Sequence, residues 1–428
     1  MYNPYNQRIK YFPIVVFIGF FFLFGCASSR LSKFDSRLNN GDLKNSFHGL
    51  VVVDSKTTET IYNTNGDRYF TPASNVKVVT LYTGLKLLPK KIPTLKYSIQ
   101  NDTLYAEGTG DPTWLHPYFM DSTGITLLKK YDHLALHLNN SEENRFGPGW
   151  AWEDYDTYFS PQKNTLPLYG NVATISNNGE LKASPHFLLD KVFIQDKPKQ
   201  REEFTNQFYI KPNNQDTLQV PFITSNAFTK KLLEQVLKKN VMLLDSFPTE
   251  EKKVLYGIAT DSIYKQMLYE SDNFLAEQLL MVGSSTLSDT LSTQTSITYM
   301  LENELTDLEH KPRWVDGSGL SRYNLFTPKS MTQILQKIYE EIPEERLFQI
   351  FPMWDSSGTI ATWKNSDIAP YIFAKSGSLG NNYNLSGYLK TKSGKILIFS
   401  FMNNHFTVST SQIRLEIESV LNQLREKY

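Results

Sequence analysis

The sequence predicts an α+β fold. Two strands near the start of the chain and three near its end form one antiparallel five-stranded sheet flanked by helices, and a mostly β domain is inserted between the two halves. Three observations lead there. The strand-like runs His48-Gly-Leu-Val-Val-Val-Asp54 and Thr60-Ile-Tyr62 have counterparts in Tyr371-Ile-Phe-Ala374, Leu385-Ser-Gly-Tyr-Leu389 and Ile396-Leu-Ile-Phe-Ser-Phe401. The last segment places Ile413, Ile417, Val420, Leu421 and Leu424 on one helical face. Between them, short strands and turns such as Gly108-Thr-Gly-Asp-Pro-Thr113 and Gly147-Pro-Gly-Trp-Ala-Trp-Glu-Asp154 give a different texture.

In chain order, Arg8 and Lys10 precede an almost wholly apolar run from Phe12 to Phe24 with six phenylalanines, followed by Gly25 and Cys26. Residues 1–26 therefore read as an export signal, too short to be a comfortable membrane span. Leu23-Phe-Gly-Cys26 resembles a bacterial lipobox, with Cys26 as the lipidated residue. An uncleaved hydrophobic anchor is the alternative, and either version tethers the protein to a membrane facing the periplasm. A helix is expected over 31–43, then the two strands, then a helix opened by Ser74 and running to about Leu88. Residues 27–96 and 222–428 form the main domain and 97–221 the insertion. After Thr224 helical spacing returns, with Phe228, Leu232, Leu233, Val236 and Leu237 on one face, and Leu275, Leu279 and Leu280 mark a buried helix.

Composition excludes several functions. With 428 residues, 40% of them hydrophobic, the chain can bury two cores. Lys plus Arg and Asp plus Glu balance at 44 each, so no basic surplus points to nucleic acid. Cys26 is the only cysteine, which rules out an internal disulfide. His133 and His137 have i, i+4 spacing, but no carboxylate motif accompanies them, and neither a metal nor a cofactor is expected.

Three short strings carry chemistry: Ser74-Asn-Val-Lys77, Ser271-Asp-Asn273 and Lys375-Ser-Gly377. Similar strings recur at Ser160-Pro-Gln-Lys163, Ser262-Ile-Tyr-Lys265, Ser176-Asn-Asn178 and Lys392-Ser-Gly394, so context must choose. Ser74 follows Thr71-Pro-Ala and precedes an apolar helical run. Ser160 lies among loop residues, Ser262 on a helix surface, and Lys392 in a hairpin turn between two strands. Ser-x-x-Lys, Ser-Asp-Asn and Lys-Thr-Gly, in that order, are shared by class A β-lactamases and penicillin-binding proteins.

Beyond these, Asp316-Gly-Ser-Gly-Leu-Ser-Arg-Tyr-Asn324 with Thr327-Pro328, Gly110-Asp-Pro-Thr113 and Gly149-Trp-Ala-Trp152 closely resemble signatures of the D-alanyl-D-alanine carboxypeptidase/endopeptidase family of penicillin-binding proteins, of the low-molecular-mass class C type. The resemblance runs from about residue 34 to 405. It implies a transpeptidase-like domain of the penicillin-binding and serine β-lactamase fold carrying an inserted domain, with peptidoglycan stem peptides as substrates and β-lactam antibiotics as inhibitors. Members specific for diaminopimelate use a subsite that maps here onto Asp154, Phe159 and Arg322, but Gly380 stands where that subsite has a glutamine. The chain also has Lys-Ser-Gly for the commoner Lys-Thr-Gly, which keeps the hydroxyl.

On this reading Ser74 is the nucleophile and Lys77, one helical turn on, is its base once burial and the charge of Lys375 lower its pKa. Ser271 relays a proton to the leaving amine, Asn273 holds the substrate amide and Lys77, and Asp272 is structural. Lys375 and Ser376 bind the terminal carboxylate, Gly377 admits the substrate backbone, and the Ser378 and Ser74 N–H groups form the oxyanion hole. Asp316 to Ser321 either line the pocket or form a structural turn, and Trp150 and Trp152 either stack on a glycan or, the more common case for a small β domain, belong to its core. Two alternatives compete with the carboxypeptidase: a β-lactamase of the same fold, and an inactive peptidoglycan-binding lipoprotein.

Overall fold

The computed structural model describes residues 44–212, 214–248, 251–354, 358–360 and 370–428. The export signal, Cys26 and the helix expected over 31–43 lie outside the described residues.

The first half contributes β1 (Phe47–Asp54), β2 (Thr60–Thr64) and helix α1 (Val76–Leu87). The inserted region holds β3 (Lys91–Gln100), β4 (Thr103–Gly108), α2 (Thr123–Lys129) and β5 (His133–His137). It continues with β6 (Val172–Asn177), β7 (Leu181–Ser184), β8 (Val192–Ile194), β9 (Phe208–Ile210), β10 (Leu218–Pro221), α3 (Asn226–Leu237), β11 (Met242–Leu244) and β12 (Lys253–Ala259). The chain then forms α4 (Thr260–Tyr269), α5 (Asn273–Ser285), α6 (Thr293–Tyr299), α7 (Pro328–Glu341) and α8 (Glu344–Ile350). It ends in β13 (Ile372–Leu379), β14 (Asn382–Lys390), β15 (Ile396–Asn404) and α9 (Thr410–Lys427).

The main sheet has the order β13-β14-β15-β1-β2, antiparallel throughout, so both ends of the described chain close it as expected. Side chains alternate across it with the two-residue strand period. Along β15, Ile396, Ile398 and Met402 join a core built on α1, α4, α5, α7 and α8, whereas Leu397, Phe399 and Phe401 meet the Ile413, Ile417 and Val420 stripe of α9. Two capping boxes fix the flanking helices: Thr327 before Pro328 starts α7, and Ser409 with Gln412 starts α9. Helix α1 is buried on all sides over its first nine residues, which places the Ser74 region in the middle of the molecule.

The insertion is larger than its sequence texture indicated. Strand β3 pairs with β12, with Lys91 opposite Ala259, in a mixed sheet of order β11-β5-β4-β3-β12. That sheet runs past both expected boundaries, 97 and 221, from Lys91 to Ala259. Helix α3, assigned to the main domain from its spacing, buries Leu232, Leu233 and Leu237 in the core of the insertion. His133 and His137 lie on strand β5, not a helix, so four residues separate them by roughly 13 Å along the strand, and His137 Nδ1 instead meets Glu107 Oε2 at 2.8 Å.

Leu385 of β14 is fully buried between the sheet and α9. Its truncation to alanine is expected to lower the unfolding free energy by about 2–5 kcal/mol, read as a shift of the urea midpoint.

Candidate active site

A 3₁₀ turn, Ala73–Asn75, leads into α1 and carries Ser74. Its entry is strained, because Ala73 has φ +48°, a left-handed conformation that costs a non-glycine residue about 1–3 kcal/mol. Two glycines hold it there. A Cβ on Gly319, itself at φ +81°, would lie 1.9 Å from the Ala73 carbonyl oxygen, and one on Gly377 would lie 2.5 Å from the Pro72 oxygen and 2.9 Å from the Ser74 nitrogen. Backbone from the 316–324 loop and from β13 thus touches the serine turn from two sides, an approach only glycine allows.

One turn further, Lys77 is completely buried. Its Nζ lies 2.9 Å from Ser74 Oγ and donates to Asn273 Oδ1 and the Ser318 carbonyl, each at 2.7 Å. Burial pulls its pKa down to about 8, and the nearby Asp272, Asp316 and Glu277 carboxylates oppose that shift. Burial and the Lys77 charge likewise hold Lys375 well below its ordinary value.

The second motif sits where α4 turns into α5. Ser271 takes φ +56°, and Asp272 caps α5 by accepting the Leu275 N–H at 2.9 Å, so it is structural. Asn273, first residue of the helix, also donates its Nδ2 to the Phe159 carbonyl of the insertion at 2.9 Å. On β13, Lys375 Nζ donates to the Ser376 carbonyl at 2.7 Å, and the Ser376 and Thr359 hydroxyls are 2.6 Å apart. A cleft of about 450 Å³ is lined by Ser74, Ser271, Asn273, Ser376 and Ser378 among others, so residues from all three motifs share one cavity.

The other copies of these motifs lie elsewhere. Ser160 is buried in a loop and Lys163 pairs with Glu143. Ser262 is exposed on α4, and Lys392-Ser-Gly394 forms the turn between β14 and β15. Among the described residues no group of three or more His, Cys, Asp or Glu side chains could hold a metal.

A family model described as the D-Ala-D-Ala carboxypeptidase 3 (S13) family matches residues 31–426. The chain belongs to that family. D-alanyl-D-alanine carboxypeptidase DacB of Haemophilus influenzae is 37% identical over 97 residues, which span 22% of this chain and only 20% of that relative. Penicillin-sensitive carboxypeptidase A of Dictyostelium discoideum is 23% identical over 405 residues, 77% of this chain and 76% of its own. The crystal structure of penicillin binding protein 4 (dacB) from H. influenzae has the same fold, with a TM-score of 0.72 at 20% identity over 91% of this chain and 99% of that one.

Of the three residues matched to the family's diaminopimelate subsite, Phe159 lines the cleft, whereas Asp154 and Arg322 are not among its lining residues. Arg322 lies beside Gly380, its Nη2 3.5 Å from where a Cβ there would stand. The family's Asp-Gly-Ser-Gly string buttresses the site. The Asp316 carboxylate accepts from the Gly319 N–H (2.9 Å), the Ser321 N–H (2.7 Å), Asn324 Nδ2 (2.6 Å) and Trp150 Nε1 (3.0 Å). Trp150 is therefore a strut from the insertion to this loop, and Trp152 is 68% exposed, so neither is a core residue of the β domain. Residues not singled out from the sequence also line the cleft: His116 and Tyr118 from the insertion and Arg414 from α9. Nothing in their local spacing marks them.

Asp316→Ala strands four donors around a nearly dry loop. It is expected to cost about 3 kcal/mol or more of stability, seen as a lowered melting temperature.

Proposed function

We propose that this chain is a serine D-Ala-D-Ala carboxypeptidase that acts on peptidoglycan stem peptides through an acyl-enzyme on Ser74 and is inhibited by β-lactams. The observation that carries this reading is the environment of Lys77 Nζ. Two of its three partners, Asn273 Oδ1 and the Ser318 carbonyl, can only accept hydrogen bonds. A neutral amine donates its two N–H bonds to them and turns its lone pair toward Ser74 Oγ, ready to take the hydroxyl proton.

Ser74 Oγ then attacks the carbonyl of the penultimate D-alanine, and the Ser74 and Ser378 N–H groups stabilise the oxyanion. Ser271, across the cleft, passes the proton from Lys77 to the departing D-alanine amine. Asn273 orients the substrate amide. Ser376 and Lys375 receive the terminal carboxylate, and Gly377 keeps the strand edge open to substrate backbone. Water finally hydrolyses the Ser74 ester.

The family membership and the name of the penicillin-sensitive relative support this reading. So does a second crystal structure of the H. influenzae protein, complexed with a β-lactam, with a TM-score of 0.66 and 19% identity. Endopeptidase cleavage of cross-links would use the same acyl-enzyme. A neighbouring groove of about 590 Å³ shares Tyr158, Phe159 and Gln219 with the cleft, which supports room for a second peptide. The basic and apolar N-terminal segment and Cys26 support export to the periplasm and a lipid anchor in the membrane. Asp154, Phe159 and Arg322 remain the proposed contacts for the third residue of the stem peptide.

Intact mass after incubation with a penicillin tests the reading. A long-lived one-to-one adduct is expected on the wild-type chain and on Ser160→Ala and Ser262→Ala, and none on Ser74→Ala; an adduct on Ser74→Ala would overturn the site assignment. Rapid turnover of the drug would favour the β-lactamase, and neither adduct nor turnover the inactive binding lipoprotein. Since only neutral Lys77 can act as base and its pKa is lowered to about 8, the acylation rate should climb with pH to a plateau above that value. On the acid side it should fall about tenfold per unit.

A further inference from the structure

Glu277 has no place in the reaction just described, yet it is hydrogen-bonded to the same residue, Ser318, whose carbonyl holds Lys77. It lies four residues after Asn273 on α5, one turn along the same face, and is only 1% exposed. Its Oε1 accepts the Ser318 N–H at 2.8 Å, and the carbonyl of that same Ser318 accepts from Lys77 Nζ at 2.7 Å. Glu277 and Lys77 thus grip one peptide residue from its two ends. The other oxygen, Oε2, is buried with no hydrogen-bond partner among the described residues. A carboxylate oxygen left bare in a dry interior is costly, and a well-packed amide or apolar side chain would avoid that cost.

We infer that Glu277 is a positioning residue for acylation: it fixes the Ser318 carbonyl on Lys77, and its charge, alongside those of Asp272 and Asp316, favours the protonated lysine. This rests on the reading of Lys77 as the base for Ser74. The charged groups that act on it come from three elements: Lys77 on α1, Asp316 in the glycine loop and Lys163 from the insertion. Burial, and secondarily the neighbouring Asp316, push Glu277 up to about 7, while Lys163 opposes them. Above that pH its negative charge favours the ammonium form of Lys77, and below it the neutral acid does not. Its ionised form therefore holds the lysine proton more firmly and moves the onset of activity toward alkaline pH.

The experiment is the pH dependence, from about 5 to 10, of the second-order rate constant for acylation by benzylpenicillin, in the wild-type chain, Glu277→Gln and Glu277→Asp. Rates are normalised to the fraction of molecules that can be acylated, so partial misfolding does not move an apparent pKa. Glutamine keeps an acceptor for the Ser318 N–H but carries no charge. Its acid limb is expected to shift by about 0.5 unit or more toward lower pH, with the plateau changed by less than about tenfold. Aspartate keeps the charge but not the reach, so its plateau should fall while its limb keeps no acid shift. A lower plateau with an unmoved limb in Glu277→Gln would overturn the inference and leave Glu277 a packing residue. An acid limb shifted equally in Glu277→Asp would overturn it as well. A wild-type chain that forms no adduct would instead overturn the acyl-enzyme reading, and the inference with it.

Discussion

The site depends on putting one amino group in a dry interior and surrounding it with oxygen. An ammonium cannot be buried without partners, because the desolvation cost is several kcal/mol. The three oxygens around Lys77 come from the 3₁₀ turn that leads into its helix, from the first turn of α5 and from the glycine loop. Each is useful only when the other two are in place. The surroundings of Lys77 are thus assembled by tertiary packing, and the same burial that demands the oxygens lowers the lysine pKa to about 8.

Much of the surrounding structure serves that arrangement. The left-handed backbone at Ala73 and Ser271 is held by contacts on both sides, with Gly319 and Gly377 closing on the serine turn and Asp272 capping the helix after Ser271. Asp316 gathers the glycine loop with four hydrogen bonds, one of them from Trp150 of the insertion. Asn273 reaches back to the insertion through the Phe159 carbonyl. The inserted domain therefore forms one wall of the cleft and braces two of the three oxygens that hold the lysine.

The main sheet and its flanking helix were legible because their signals are local. The apolar runs in strands 47–54 and 396–404, buried on both faces, and the stripe from Ile413 to Leu424 declare themselves within a few residues of chain. The insertion boundaries were not, because they depend on β3 finding β12 across more than 150 residues and on which core claims α3. An amphipathic helix announces that one face is buried but not against what. Trp150 illustrates the same limit, since its indole hydrogen bond goes to a residue 166 positions away.

The sequence by itself determined that Ser74 and Lys77 are neighbours: they stand three residues apart where a 3₁₀ turn runs into α1, one helical turn from each other. It also determined the order of motifs, the antiparallel sheet closed by distant segments, and the family. Tertiary structure decided which of several Ser-x-x-Lys and Lys-Ser-Gly strings share a cleft, how dry Lys77 is, and which carboxylates surround it. It also turned Glu277 from one more acidic residue into a group gripping the same peptide as Lys77. The reason is physical: solvent exclusion and charge proximity are properties of the packed interior, and they arise between segments that have no local relation in the chain.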